Sequence, residues 1–271
     1  MDFRAVITLP YLLKQLFSVK RFIDLGHKGK NKNKLQVSFS LLALVKRLNR
    51  IKNGGVIMLN MDFLKEVLID SEEQTWLASP MTGVWRKPLA REEAERGHAT
   101  SIVKYEAGSF FRSHPHPGGE EIFVIEGTFS DESGDYPAGS YFRNPPGTSH
   151  APHSKGGCEL FVKLHQFKAD DRAQICIDTN PYLQSEKSYY LLHKHQDEDV
   201  YWFNLSNVSD LNDVSNILIN NDSIEILILD GEMSYNDLLL TKGYWIRSHD
   251  FNISLLTINR PAVFLFKSGH F

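Results

Sequence analysis

The chain has 271 residues, room for two domains of ordinary size, and its 42% apolar and 23% charged content is that of a globular soluble protein. A net charge of −3 argues against a nucleic-acid or membrane partner, and no apolar run is long enough to span a bilayer as a helix. Two cysteines, Cys158 and Cys176, with no Cys-x-x-Cys pair, exclude a disulfide framework; they read as small apolar fillers in a protein of the reducing cytosol.

The mean charge hides an asymmetry. Residues 1–57 carry twelve Lys/Arg against two Asp/Glu, or +10, whereas the remaining chain carries eighteen against thirty-one, or −13. Within this segment residues 11–22 and 35–48 read as short basic helices, separated by the polar run HKGKNKNK, which has the composition of disorder. One reading is a basic arm that touches nucleic acid or anionic lipid. The preferred one is a poorly ordered extension, with Met58 or Met61 as alternative starts, because the folded pattern begins only after Gly54-Gly55. Residues 5–13 are apolar but broken by Pro10, followed by Lys14 and without a small-residue cleavage site, which argues against a signal peptide.

From residue 62 onward short strand-like pieces appear, around 65–69 and 83–87. A clear strand at 100–105 (TSIVKY) is closed by the turn Glu106-Ala107-Gly108. The segment GTFSDESGDYPAG then reads as a hairpin and 159–167 as a further strand. Many short strands with Gly/Pro turns at regular spacing predict an all-β fold, a sandwich or jelly-roll barrel that can enclose a site.

The chemistry concentrates in residues 108–127, GSFFRSHPHPGGEEIFVIEG. His114 and His116 are two apart, so in an extended strand both side chains leave the same face. Pro117-Gly118-Gly119 turns the chain, and Glu120 arrives at the start of the apolar run 122–125. Two imidazoles and a carboxylate on adjacent strands are ligands of the kind that hold zinc, iron or manganese. A fourth candidate, His150, emerges in GSYFRNPPGTSH just past the turn Pro145-Pro146-Gly147.

The second half repeats the first at a shift of 104 residues without a gap. Glu121, Gly127, Gly139, Arg143, Lys163 and Phe167 fall on Glu225, Gly231, Gly243, Arg247, Lys267 and Phe271. A repeat of this size means two copies of a whole domain. The expected division is an extension over 1–57, a metal-binding barrel over 58–168 and a degenerate one over 169–271. In the second copy His114, His116, Glu120 and His150 become Leu218, Asn220, Ile224 and Ser254, so no metal is expected there. Arg143 and Lys163 persist in the copy that lost its ligands, so they read as structural. His193-Lys194-His195 imitates the first motif but has Ser206 where the following glycine would fall, and reads as a surface or interdomain pair. His27, His98, His153, His165, His249 and His270 carry no spacing signal.

The two motifs read Gly108, five residues, His114-x-His116, three residues, Glu120, six residues, Gly127; then Gly139, five residues, Pro145-x-Gly147, two residues, His150. This resembles both signature motifs of the cupin superfamily, with Ser154 where the family often ends the second motif in Asn. The phrase HPHPGGEEIFVIEGTFSDESGDYPAGSYFRNPPGTSHAP, with GCELFVKLHQF after it, looks like the cupin of ChrR-type proteins, the group named for an anti-sigma factor. The resemblance covers residues 72–271, the second repeat in outline only, and implies a bicupin of two tandem jelly-roll barrels. It also implies that His114, His116, Glu120 and His150 hold one divalent metal: zinc in a regulatory cupin, or ferrous iron in dioxygenases of diketone-like or hydroxyacetophenone-like substrates; manganese and nickel fit the same ligands. ChrR anti-sigma factors carry an N-terminal zinc-binding helical domain with a Cys-x-x-Cys pair, and residues 1–71 here contain no cysteine.

Two functions follow as expectations. A regulatory or sensor protein, anti-sigma-factor-like, would use four protein ligands to close a tetrahedral zinc site and would have a protein partner. A dioxygenase would keep coordination positions open for a small molecule and dioxygen on Fe(II), with Arg112 either pointing into the barrel or an outward-facing charge, and Phe110 and Phe123 either lining the cavity or, as aromatics at strand positions more often are, plain core. An open position beside a roomy apolar pocket separates the two. The expected assembly is a monomer or homodimer.

Overall fold

The computed structural model describes residues 58–92, 97–206, 210–219 and 223–271; the basic segment 1–57, with its expected helices and disorder, lies outside them. The described chain is all-β apart from one α-helix, Asp210–Ile219, and two short 3-10 turns. Its strands form two barrels.

The first barrel is built on the strand Glu120–Asp131, which pairs with Ser140–Asn144 on one side and Cys158–Leu164 on the other. Beyond Cys158–Leu164 the sheet continues through Ala99–Tyr105, Val84–Arg91 and Leu77–Ala78. The second barrel repeats this plan: Ile224–Tyr235 lies between Tyr244–Ser248 and Leu256–Ser268, and the sheet runs on through Glu198–Leu205 to Tyr189–His195. The 104-residue shift read from the sequence is the shift between these elements. Gly127 and Gly231 hold φ of 73° and 85°, Gly139 and Gly243 hold 89° and 90°, and Gly139 and Gly243 donate to the matched carbonyls of Val124 and Ile228 at 2.8 and 2.9 Å.

Period-2 alternation assigns the two faces of each strand. In the first barrel Ile122, Val124, Leu160 and Val162 point inward, into a core they share with Val103, Phe129 and Phe142. The alternate residues Phe123 and Phe161 point the other way and join Trp202, Leu227, Trp245 and Leu265 of the second barrel in one core. The sheets therefore stack back to back. Both faces of these strands are buried, which is why 122–125 reads as an unbroken apolar run.

The barrels also exchange strands. Val67–Asp70, early in the chain, pairs with Tyr244–Ser248 of the second barrel, Val67 opposite Arg247. Ile175–Asp178, from the second half, pairs with Ser140–Asn144 of the first, Ile175 opposite Arg143. Each sheet is thus completed by a strand that sequence order assigns to the other half.

The helix Asp210–Ile219 occupies the part of the second copy that corresponds to the histidine segment of the first. Leu211 and Val214, one turn apart, insert into the second barrel's core with Phe203, Met233, Phe264 and Phe266. That barrel is a packed body. Cys158 sits in the first barrel's core, where burial pushes its thiol up to about 11, as a filler should. Cys176 is exposed, so the filler reading fails for it: alternation along Ile175–Asp178 turns it away from the neighbouring sheet.

Candidate metal centre

Local backbone geometry brings the four predicted residues together. Gly119 at φ 78° lets the chain reverse between His116 and Glu120, and Gly147 at φ 96° does the same before His150. The short strands His114–Pro115 and Ser149–His150 then pair with His114 directly opposite His150. Glu120 opens its strand on the inward-facing parity. One ligand atom from each of His114, His116, Glu120 and His150 lies within 4.8 Å of the others, and the last three residues are buried.

Each imidazole is tied from outside the cluster. His114 Nδ1 lies 2.9 Å from the carbonyl of Arg112, which can only accept, and His150 Nδ1 lies 3.2 Å from Asp131 Oδ2. His116 Nδ1 lies 2.9 Å from the Thr148 hydroxyl, whose own proton goes to the carbonyl of Pro145 at 2.8 Å. All three rings thus donate from Nδ1 and carry their lone pair on Nε2. The Nε2 atoms of His116 and His150 each lie 3.3 Å from Glu120 Oε2, yet both are buried and make no hydrogen bond. Converging buried lone pairs with no donor facing them are what a metal ion satisfies, and outward Nδ1–H bonds are the usual anchor of histidine ligands.

The electrostatics agree. Burial, then the charges of His150 and His114, lowers His116 to about 3, and burial with His114 lowers His150 as well. Burial pushes Glu120 up to about 7, against the Asn144 hydrogen bond at 3.2 Å and the charge of Arg86. The His116 and His150 rings are neutral at physiological pH, and the carboxylate lacks a protein cation of its own within the cluster. A divalent ion bound here would supply that charge.

The cluster forms one end of a cavity of about 650 Å³ inside the first barrel. Its wall is mostly apolar, with Val103, Ile122, Leu160, Val162, Phe111 and Phe129, and Tyr105, Arg86 and His165 add polar groups. The cavity-lining expectation fails for Arg112 and Phe110, and Phe123 takes its plain-core alternative. Arg112 is exposed and outside the cavity, Phe110 is 59% exposed, and Phe123 lies in the core between the barrels. Residues 111–113 are not in a strand, so alternation cannot be counted through them from His114. The cavity's cation is Arg86, from the strand Val84–Arg91, stacked over Phe111 at 5.9 Å; no local motif marks it.

A second group, Asp171, His193 and Glu198, also clusters closely enough for a metal. Arg143 already bridges it, donating to Asp171 Oδ2 at 2.6 Å and Glu198 Oε1 at 2.9 Å, and Lys267 adds a contact to Glu198 at 3.1 Å. Protein cations neutralise these carboxylates, and His193 bonds Asp171 at 3.0 Å as part of the buried network.

Residues 64–168 match the family described as the ChrR cupin-like domain. The first barrel is a ChrR-like cupin. No curated protein matches the chain. Solved structures similar to the whole bicupin include a candidate dioxygenase of Nostoc punctiforme (14% identity, 76% of this chain and 83% of that one, TM-score 0.57). YlbA of Escherichia coli aligns at 12% identity over 82% of this chain and 97% of that one, TM-score 0.55. The bacterial pirin YhhW of Escherichia coli, in complex with nickel(II), aligns at 14% identity over 76% of this chain and all of that one, TM-score 0.52. At such identities the likeness establishes the cupin fold. No helix among the described residues is long and apolar enough to cross a membrane.

Proposed function

We propose that the chain is a bicupin in which residues 58–168 hold one divalent metal through His114, His116, Glu120 and His150, and 169–271 form a partner barrel without a metal. We further propose that the centre is that of a metal-dependent dioxygenase acting on a small, largely apolar molecule with ketone, enol or phenol oxygens. The observation that carries this reading is the cavity of about 650 Å³ that opens on the ligand cluster, a volume typical of small-molecule sites. The dioxygenase and the nickel complex named among the structural neighbours accord with it.

A bound metal would supply Lewis acidity and, as iron, a place for dioxygen. The chain's own residues do the rest. Arg112 carbonyl, Thr148 and Asp131 hold the three imidazoles in the ligating tautomer, and Asn144 fixes Glu120. The apolar wall excludes water and takes the hydrocarbon part of the substrate.

A regulatory zinc cupin is the second reading, favoured by the four protein donors, which suffice to close a tetrahedral site. The deciding experiment is metal analysis after anaerobic purification, followed by oxygen uptake with β-diketones and hydroxyacetophenones. One iron per chain with substrate-dependent uptake supports the dioxygenase. One zinc and no uptake supports regulation, and no stoichiometric metal removes the site.

A further inference from the structure

His165 follows the strand Cys158–Leu164 with φ of 58°, in the left-handed region that side chains other than Asn, Asp and His rarely enter. Among the described residues the other non-glycine positions with positive φ are Asn60, Gln196, Asn236 and Asp237. Among these five His165 alone lines the cavity.

The repeat shows what the fold itself asks of this position. One repeat length later stands Gly269, with φ of 66°. The two make the same backbone bond, His165 to the carbonyl of Gly119 at 3.0 Å and Gly269 to that of Ser223 at 3.3 Å. At Gly269 a β-carbon would come within 1.9 Å of the Asp197 carbonyl, so the second barrel requires glycine. The first barrel has room for a side chain there but keeps the left-handed backbone, which glycine adopts without strain. Histidine at this place works against local conformational preference, and strain of that kind gathers at functional sites.

The ring's surroundings point the same way. Its Nδ1 lies over Gly118, where a β-carbon would come within 2.6 Å of it, so the turn between His116 and Glu120 is shaped to admit it. His165 and His116 line the same cavity. The three ligand imidazoles all have their Nδ1 engaged, whereas the His165 ring makes no hydrogen bond among the described residues. An imidazole without a bond, on a mostly apolar cavity wall, has a donor and an acceptor to offer a ligand.

We propose that His165 is a specificity-determining residue of this cavity, hydrogen-bonding one oxygen of the bound molecule while a second oxygen faces the metal ligands. The inference rests on the dioxygenase reading of the site and narrows it: the substrate carries two oxygen functions on a compact apolar frame.

The test uses the full chain loaded with nickel and titrated with acetylacetone and 2-hydroxyacetophenone, comparing wild type, His165→Gly and His165→Gln. At least one probe should bind wild type, His165→Gly should weaken it about tenfold, and His165→Gln should restore most of the affinity. His165→Gly should keep one metal per chain, and its metal-free unfolding midpoint should stay level or rise by about 2–4 °C as backbone strain is relieved. Equal affinity in wild type and His165→Gly overturns the proposal and leaves the dioxygenase reading standing. A His165→Gly protein that unfolds, or melts several degrees lower, makes the ring a structural filler and also overturns it. If neither probe binds metal-loaded wild type, the substrate reading falls and the proposal falls with it.

Discussion

Glu121 and Glu225 stand 104 residues apart at the same place in the two barrels, and each is bonded by the lysine of the other barrel. Lys267 of the second barrel donates to Glu121 at 2.5 Å, and Lys163 of the first donates to Glu225. Aromatic partners match as well: the Tyr141 hydroxyl donates to Glu121 at 3.2 Å and the Trp245 indole to Glu225 at 2.6 Å. These groups are fully buried between the sheets. The residues that outlasted the loss of ligands in the second copy therefore hold the two barrels together.

The network has a hub, and removing it should cost more than removing a spoke. Glu225 accepts from Lys163, Trp245 and His270, so Glu225→Ala leaves a buried ammonium with only the Thr100 hydroxyl and no counter-ion, and orphans two N–H donors. The expected loss is about 3–5 kcal/mol of unfolding free energy in urea. Lys163→Met leaves the carboxylate its two N–H donors and should cost less, on the order of 1–3 kcal/mol. A Lys163→Met protein as unstable as Glu225→Ala would show that the carboxylate is not the hub.

The same network sets an acid limit in two steps. Burial lowers His270 to about 4 although Glu225 accepts its N–H at 2.7 Å, so the folded ring is neutral where an unfolded one titrates near 6.5. The unfolded chain takes up that proton first, so stability is intact above about pH 6.5 and falls as pH drops from there to 4. Burial would raise Glu121, but Lys267, Arg143 and Lys163 hold it at about 2. Its contribution is present above about pH 4.5 and is lost as pH falls toward 2. His270→Gln should make the first step smaller, because His98 and His116, lowered to about 3 by burial, contribute to the same window, and should keep the second, as read from unfolding midpoints across pH 3–8.

The metal motif was legible because it is local: fixed spacings with Gly119 and Gly147 at the turns determine how the four side chains converge. The repeat was legible because both copies keep the glycines and the inter-barrel charges. What stayed hidden is non-local or conditional. The pairing of Val67 with Arg247 joins strands from opposite halves of the chain, and no short-range pattern specifies it. The helix Asp210–Ile219 stands where the repeat sets the histidine segment, and its apolar side chains Leu211 and Val214 fill the space that is cavity in the first barrel. Arg112 was misplaced by counting strand parity through residues that form no strand. His165 was within reach, since the repeat sets it against Gly269.

The anchor of an imidazole should matter nearly as much as the imidazole. Thr148 accepts from His116 only because its own proton is committed to Pro145. Thr148→Val keeps the shape and removes the acceptor, and should weaken metal binding about 10–100-fold in competition with a chromogenic chelator. Thr148→Ser keeps the hydroxyl and should behave as wild type. Equal affinities for all three proteins would place the His116 tautomer under some other control.

The two clusters of histidine and carboxylate should differ absolutely in metal content. In the first, His116 and His150 turn buried, unbonded Nε2 atoms toward a carboxylate that burial pushes up to about 7. In the second, Arg143 and Lys267 already occupy the carboxylates, and a divalent ion would have to enter beside two fixed cations. Repulsion inside a buried site is not relieved by water, so the ion is excluded there. His150→Ala should therefore lose its metal altogether, whereas His193→Ala should keep one equivalent by inductively coupled plasma mass spectrometry. His193→Ala also deprives Asp171 of one donor, so its unfolding midpoint should drop while its metal content holds. A second equivalent in wild type, absent from His193→Ala, would show that Arg143 yields its place to an ion.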